Sequence, residues 1–539
     1  MASLYEHIRA NRMPSGAAAS SSVLPDEPSD DAAPYGGPRI RWAAGARDGV
    51  AVFHLSGRPP GIRQVAPIVD ALLLHVRDSG PEEREAVELV VSRVVGDDAF
   101  VPFVGPVLDR LEDALDQEER GSLARVKMPV ATRKLLLETE RRDSLKLAIA
   151  LLGPFGSTDD KDILETVGLH DEFTLYAIDA LGAIFPDPID SWLLFAMGLS
   201  GWGKIHSVLA LVERLPEAGT RREEIQSFLL RNGCENGVQH GYLALPIATS
   251  AALAEALEKK VDADLLFGAG LILSSLCEDA ATGGPGGDMG DYPEGALAAT
   301  RFIEAVRAPD APGSRKLDAF LAVHSVRTFV RDIVKQDRPR WIALGWTEEL
   351  CTKLTEKADL YLADEAWRIQ AFETLRDGDA VERWKARSVC RVLDVPMATE
   401  LEFVIGADPS DVGAWHDLSA QADREGMERA VSIAPSLLRL DKLFAGGPST
   451  SLGLGPDFPR FEICDALANG LARFPGSGGA FLRQLVQSPS VRNRHSALRV
   501  YEQWPQLGPA DREAIAVVAA GDPDGRVREH AEKLKLEKG

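Results

Sequence analysis

Two short segments near the C-terminus echo each other, and this constrains the fold more than anything else in the chain. Residues 489–498 read PSVRNRHSAL, and residues 523–534 read PDGRVREHAEKL. Val491-Arg492 and Val527-Arg528 are 36 residues apart, and Leu498 and Leu534 follow each pair at the same offset. Each copy opens on a turn of Pro, Asp or Ser, passes through Val-Arg and continues as an amphipathic helix. A period of this size belongs to stacked helix pairs, in which every pair buries its apolar face on its neighbours. A second echo links ALLGPF (150–155) and ALGAIF (180–185), each with Gly near a helix end and Phe beyond it. The expected fold is all-α: an α-solenoid of helix pairs.

The rest of the chain fits this expectation with two exceptions at the N-terminal end. Residues 1–38 include a stretch rich in Ser, Ala, Pro, Gly and Asp, which buries too little apolar area to offset ordering entropy, so disorder is expected. Residues 39–60 contain alternating Ile40 and Trp42, the turn signal Asp48-Gly49 and a β-prone run from Val50 to Leu55, a pattern that predicts a small β-hairpin. Helical spacing then sets in, with VAPIVDALLLHV (65–76), EEREAVELVVSRVV (82–95), VPFVGPVLDRLEDAL (101–115) and DSLKLAIALL (143–152). Pro106 suits a helix start, Asp143 an N-cap, and Gly153-Pro154 a stop. Gly-rich stretches at 282–295 and 445–459 divide the helical part into region I (61–281), region II (296–444) and C-terminal repeats (460–539). The helix pairs resemble HEAT repeats, most specifically over 485–536.

Charge narrows the partners. The chain has 60 Lys+Arg against 82 Asp+Glu, a formal net charge of −22. Such a field disfavours nucleic acid and anionic membranes and favours basic partners. The five cysteines, Cys234, Cys277, Cys351, Cys390 and Cys464, have neither CxxC nor zinc-ligand spacing and suit free thiols in a reducing compartment. MASLYEHIRANRM has no apolar core for a signal peptide, and the longest uncharged run, 236–254, contains Gln239, His240 and Pro246, so no membrane span and a cytoplasmic location are expected.

Candidate chemistry concentrates in residues 190–295. GLSGWGKI places Gly198, Gly203 and Lys204 at the spacing of a phosphate-binding loop, after SWLLFAM and before a helical pattern. Ile205 stands where Ser or Thr would hold magnesium. Trp202, His206 and His240 complete the candidate ligand-binding set. Glu278, Asp279, Asp288, Asp291 and Glu294 form an acidic loop without EF-hand spacing. Ten histidines include no HExxH, and none accompanies a GxSxG, so no catalytic residue is assigned.

GWGKIH (201–206), VERL (212–215), GCENGV (233–238), GAGLILSSL (268–276) and GGPGGDMGDY (283–292) resemble a group of bacterial helical proteins, some labelled limonene hydroxylase. The resemblance covers roughly residues 140–310 and implies a monoterpene hydroxylase or an associated dehydrogenase. The residues themselves offer no cofactor: no cysteine lies in a haem-type Gly-rich loop, no GxGxxG follows a strand, and no His/His/carboxylate cluster suits iron.

A non-catalytic scaffold binding a protein or peptide is therefore the first expectation, and a small-molecule enzyme with a pocket in 190–295 the second. Arg492, Arg494, Arg526 and Arg528 form a basic island for an acidic segment. Trp202, Trp341, Trp346, Trp367, Trp384 and Trp415 are candidate anchors.

Overall fold

The computed structural model describes residues 3–11, 23–26, 42–55, 59–117, 121–308, 313 and 316–538. Every regular element among them is helical. The helices form where apolar residues recur at i, i+3, i+4 and i+7. Ile62–Arg77, for example, buries Val65, Ile68, Val69, Leu72 and Val76 on one face. The chain divides into two units, one running to Tyr361 and the other from Leu362, and neither Gly-rich stretch coincides with that division.

In the first unit, Arg142–Phe155 is buried without a break from Ser144 to Leu152. Pro81–Val95, Gly121–Glu138 and Thr174–Ile184 all pack on it. Gly153 lies in the contact with Thr174–Ile184, where a Cβ would meet Ala180 and Ala183 at an ordinary 3.8 Å. Thus the two helices of the ALLGPF/ALGAIF echo are packed partners. Ala263–Thr282 is long and apolar enough to cross a membrane. It packs against Gly241–Ser250, Gly295–Arg307 and Leu317–Thr328, and so serves as a core helix. Gly268 is required there, because a Cβ would collide with the Leu230 carbonyl.

The second unit is arranged as two interleaved ladders. Val412–Gln421, Phe458–Leu471, Val491–Gln503 and Gly525–Lys538 pack each on the next. Arg424–Leu437, Gly479–Leu485 and Pro509–Gly521 form the other ladder in the same way. The PSVRNRHSAL and PDGRVREHAEKL echo supplies successive rungs of the first ladder. Val491 and Val527 are both buried, as are Leu498 and Leu534.

Several expectations are corrected. Residues 46–54 form the helix Ala46–His54 in place of a hairpin, since Asp48 docks on other helices and outweighs the β propensity of Val50 to Val52. The N-terminal 1–38 is not disordered throughout. Leu4–Ala10 is a helix, capped by Ser3, that buries Leu4 and Ile8, and Asp26 pairs with Arg142 at 3.0 Å. The rest of that segment, residues 1–2, 12–22 and 27–38, lies outside the described residues, as do 39–41 and 56–58 of the expected hairpin. Pro106 sits inside its helix, not at its start, while Arg142–Phe155 ends one residue past Pro154. Arg141, not Asp143, is the N-cap of Arg142–Phe155. SWLLFAM is helix.

Candidate functional site

The most concentrated chemistry in the first unit centres on a buried cation, Lys146, outside the residues expected from the sequence. Lys146 lies in the buried stretch of Arg142–Phe155 with a side chain only 3% exposed. Its Nζ lies 2.8 Å from Asp48 Oδ2, 2.6 Å from Glu172 Oε1 and 3.7 Å from Asp143 Oδ1. It also stands 5.9 Å above the Tyr176 ring. The second oxygens are used too. Asp48 Oδ1 accepts the Phe100 and Val101 amides at 2.7 and 3.1 Å, at the start of Val101–Gln117 where helical amides lack internal partners. Glu172 Oε2 accepts the Gly45 amide at 2.8 Å.

Burial alone would strip Lys146 of its proton, but Glu172, Asp48 and Asp143 outweigh it and raise its pKa. Burial likewise opposes ionisation of Asp48 and Glu172, and Lys146 overcomes it in both, lowering their pKa values. Asp143 is the exception, since desolvation exceeds the pull of Lys146 and its pKa rises. A lysine locked in the protonated form is no nucleophile or general base. Its role is to tie Ala46–His54, Arg142–Phe155 and the loop before Thr174–Ile184 together.

The far side of Ala46–His54 sits on aromatic rings. Phe53 contacts Trp202, His206 and Tyr242 with centroids 6.0, 6.2 and 4.8 Å apart. His54 Nε2 hydrogen-bonds Tyr242 Oη at 2.6 Å. Gly49 permits the contact, because a Cβ there would run into the Trp202 ring. Burial drives the pKa of His206 down to about 4, against the pull of Asp48.

This depressed histidine gives a pH dependence. In the unfolded chain His206 takes up a proton near its ordinary 6.5, and in the folded chain only near 4. A group with a lowered folded pKa that is neutral in the native state loses stability as pH falls between those values. The expected loss is about 3 kcal/mol across that window. His206→Gln removes one proton's worth of that slope in urea unfolding between pH 7 and pH 4.5. The slope stays above zero, since burial lowers the pKa of His75 and His240 as well. An unchanged slope would refute the assignment.

The phosphate-loop look-alike is occupied by the chain itself. The Gly203 amide donates to Asp171 Oδ1 at 2.7 Å. A Cβ on Gly201 would stand 2.9 Å from the same carboxylate. Asp171 is buried and fills the N-terminus of Trp202–Arg214, where a phosphate would sit. Gly198 closes the preceding helix. Lys204 turns away from this nest. Burial lowers its pKa while Glu235 and Cys234 raise it, and His240 shares the neighbourhood with burial as its main influence. The Cys234 thiol is pushed up by burial, so it is inert. Trp202 and His206 thus belong to the aromatic seat, while Lys204 and His240 belong to a separate cluster around Cys234. In the acidic loop, Asp288 and Asp291 cap a single helical turn, and no group of three or more metal-ligating side chains occurs among the described residues.

The C-terminal arginines divide. Arg494 is enclosed and is corrected from a partner contact to a packing residue. Its Nε and Nη2 fork onto Asp522 at 2.7 and 2.9 Å, Nη1 donates to Ser488 O at 2.7 Å and Nη2 to Ser449 O at 2.7 Å. Arg492 pairs with Asp465 at 3.1 Å and stacks on Phe458, and Arg528 donates to Asp522 O. Only Arg526 is exposed. Of the six candidate anchor tryptophans, Trp202, Trp341, Trp346, Trp367 and Trp415 are buried, and only Trp384 is exposed, at 55%. Compared with models of protein families, with curated proteins and with solved structures, the chain matches none.

Proposed function

We propose that the chain is a non-catalytic α-solenoid scaffold of HEAT-like helix pairs that binds a basic protein or peptide segment. The observation that carries this reading is a set of apolar side chains on the second unit. Ile369, Val381, Trp384 and Phe403 are each more than half exposed. They lie on Ala366–Asp377, Ala380–Val392 and Ala398–Ala407, three successive helices of which the first packs on both of the others. Large exposed apolar side chains gathered in one region mark interaction surfaces, and tryptophan is the commonest anchor. The net charge of −22 favours a basic partner. The two ladders of the second unit support the helix-pair reading. The alternative of a nucleotide or terpene pocket over 190–295 draws no support from residues that already serve Asp171 and the aromatic seat.

The test is recovery of full-length tagged protein from its host, wild type against Trp384→Ala. A basic protein recovered in stoichiometric amount with the wild type, and reduced at least tenfold with Trp384→Ala at unchanged thermal stability, is the expected result. Equal recovery with both proteins, or a chromophore or metal bound in place of a protein, would overturn it.

A further inference from the structure

His495 and His530 sit on the last two rungs of the first ladder, Val491–Gln503 and Gly525–Lys538, and face each other across the contact. Their Nδ1 atoms are 3.3 Å apart. The ring centroids are 5.6 Å apart and the planes differ by 25°, so the rings meet edge to edge, nitrogen on nitrogen. One proton between the two atoms makes an N–H···N hydrogen bond, whereas two protons set like charges against each other. Glu502 Oε2 lies 3.5 Å from His530 Nε2 and decides which ring is charged first. A proton on His530 gains this carboxylate, and the ring donates through Nδ1 to a neutral His495. A second proton must go to His495, which is half-buried. Burial holds the pKa of His495 below 6.5, helped by His530, Arg499 and Arg494 and opposed by Asp524.

The surrounding charges leave this balance in place. Lys533 pairs with Glu502 and Glu537, and Asp524 caps Gly525–Lys538 through the Arg526 and Val527 amides. On Phe458–Leu471, Asp465 holds Arg492 and Asn493, and Glu462 faces His416. Arg483 of Gly479–Leu485 pairs with Asp511 of Pro509–Gly521, where Arg512 bonds Leu507 O and Glu513 is exposed.

We propose that His495 and His530 are a proton-operated latch on the last helix, closed while either ring is neutral and sprung when acid protonates both, so that Gly525–Lys538 opens from Val491–Gln503. His495 has a lowered folded pKa and stays neutral in the closed latch. Its contribution is therefore complete above 6.5 and is lost as pH falls below that value. The other ties of the helix do not respond to mild acid. Val527, Ala531 and Leu534 are apolar, Arg528 bonds Asp522 O, and Lys538 bonds Trp504 O at 2.7 Å. Burial opposes ionisation of Glu502, but Lys533 and His530 outweigh it and lower its pKa, so it keeps its charge. The latch does not depend on the scaffold reading, which concerns other helices of the second unit.

Hydrogen exchange of the full-length protein at pH 7.5 and pH 5, corrected for intrinsic rates, tests this in the wild type and in His495→Gln. Glutamine keeps a polar side chain at the contact but takes up no proton in this range. Between the two pH values, protection of Gly525–Lys538 is expected to fall about fivefold more in the wild type than in the variant. Val412–Gln421, at the other end of the ladder, is the internal control and responds alike in both proteins. Titration of the histidine ring resonances supplies a second readout, in the wild type itself. The pair is expected to titrate in two separate steps, the second below 6.5, and His530→Gln raises the His495 step. An equal pH response of Gly525–Lys538 in the wild type and His495→Gln would overturn the latch, as would two rings that titrate together near the ordinary value.

Discussion

Replacing Lys146 by methionine destabilises the first unit by about 3–5 kcal/mol, the range expected when one partner of a buried ion pair is removed. Methionine fills most of the volume but leaves Asp48 and Glu172, 3% and 8% exposed, without a counter-charge. The backbone amides that bond their second oxygens remain, so the carboxylates stay in place and must be neutralised there. The penalty is therefore largest at neutral pH and shrinks in acid, where both carboxyls take up protons. In the wild type the sign is opposite. Asp48 and Glu172 have folded pKa values below their ordinary 3.8 and 4.5, so their stabilisation is present above those values and is lost as pH falls through the lower, folded ones. Lys146 has a raised pKa, so its stabilisation is complete below 10.5 and is lost only as pH rises through the folded value. Adding Asp48→Asn and Glu172→Gln to Lys146→Met recovers part of the loss, since the stranded charges are then absent. Hydrogen exchange across Arg142–Phe155 at pH 7 measures the effect, and a loss under about 1 kcal/mol would show that the cluster is not a structural tie.

Arg494→Ala has a comparable effect in the second unit, about 3–5 kcal/mol by the same reasoning. The side chain is fully enclosed, and its loss strands Asp522, also buried, together with the carbonyls of Ser449 and Ser488. The guanidinium joins three places: the loop before Phe458–Leu471, the start of Val491–Gln503, and the turn before Gly525–Lys538. Its removal should raise hydrogen exchange in all three at once. Arg494→Lys recovers only part, because an ammonium cannot fork onto both carboxylate oxygens while reaching two carbonyls. Exchange confined to one of the three segments would contradict the joint role.

The helical class and the C-terminal repeat were legible because they rest on local spacing. Val491, Leu498, Val527 and Leu534 recur at fixed offsets, and each is buried. What could not be read was set by distant partners. Asp48-Gly49 looked like a turn, because the sequence gives no sign that Asp48 meets Lys146 and the Val101–Gln117 amides from about fifty and a hundred residues away. Lys146 itself is visible as the one charge inside the apolar run LKLAIALL, the signal of a buried and therefore paired lysine. The loop at Gly198 to Lys204 was legible as an anion-binding turn, and it is one, but the anion is Asp171 of the same chain. Arg494 and Arg492 looked alike in sequence, yet Arg494 is enclosed, bonding Asp522 and the Ser449 carbonyl, while Arg492 stays half-buried and pairs with Asp465.

We propose that partner binding runs through the exposed apolar side chains of Ala366–Asp377, Ala380–Val392 and Ala398–Ala407. A photo-cross-linking amino acid placed separately at Trp384, Phe403 and Leu536 in the full-length protein, irradiated in its host, tests it most directly. Leu536 is the control, being 87% exposed but on the last helix. The expected result is one discrete adduct with the same basic protein from positions 384 and 403 and none from 536. Adducts equally abundant at all three positions, or at none, would contradict the claim.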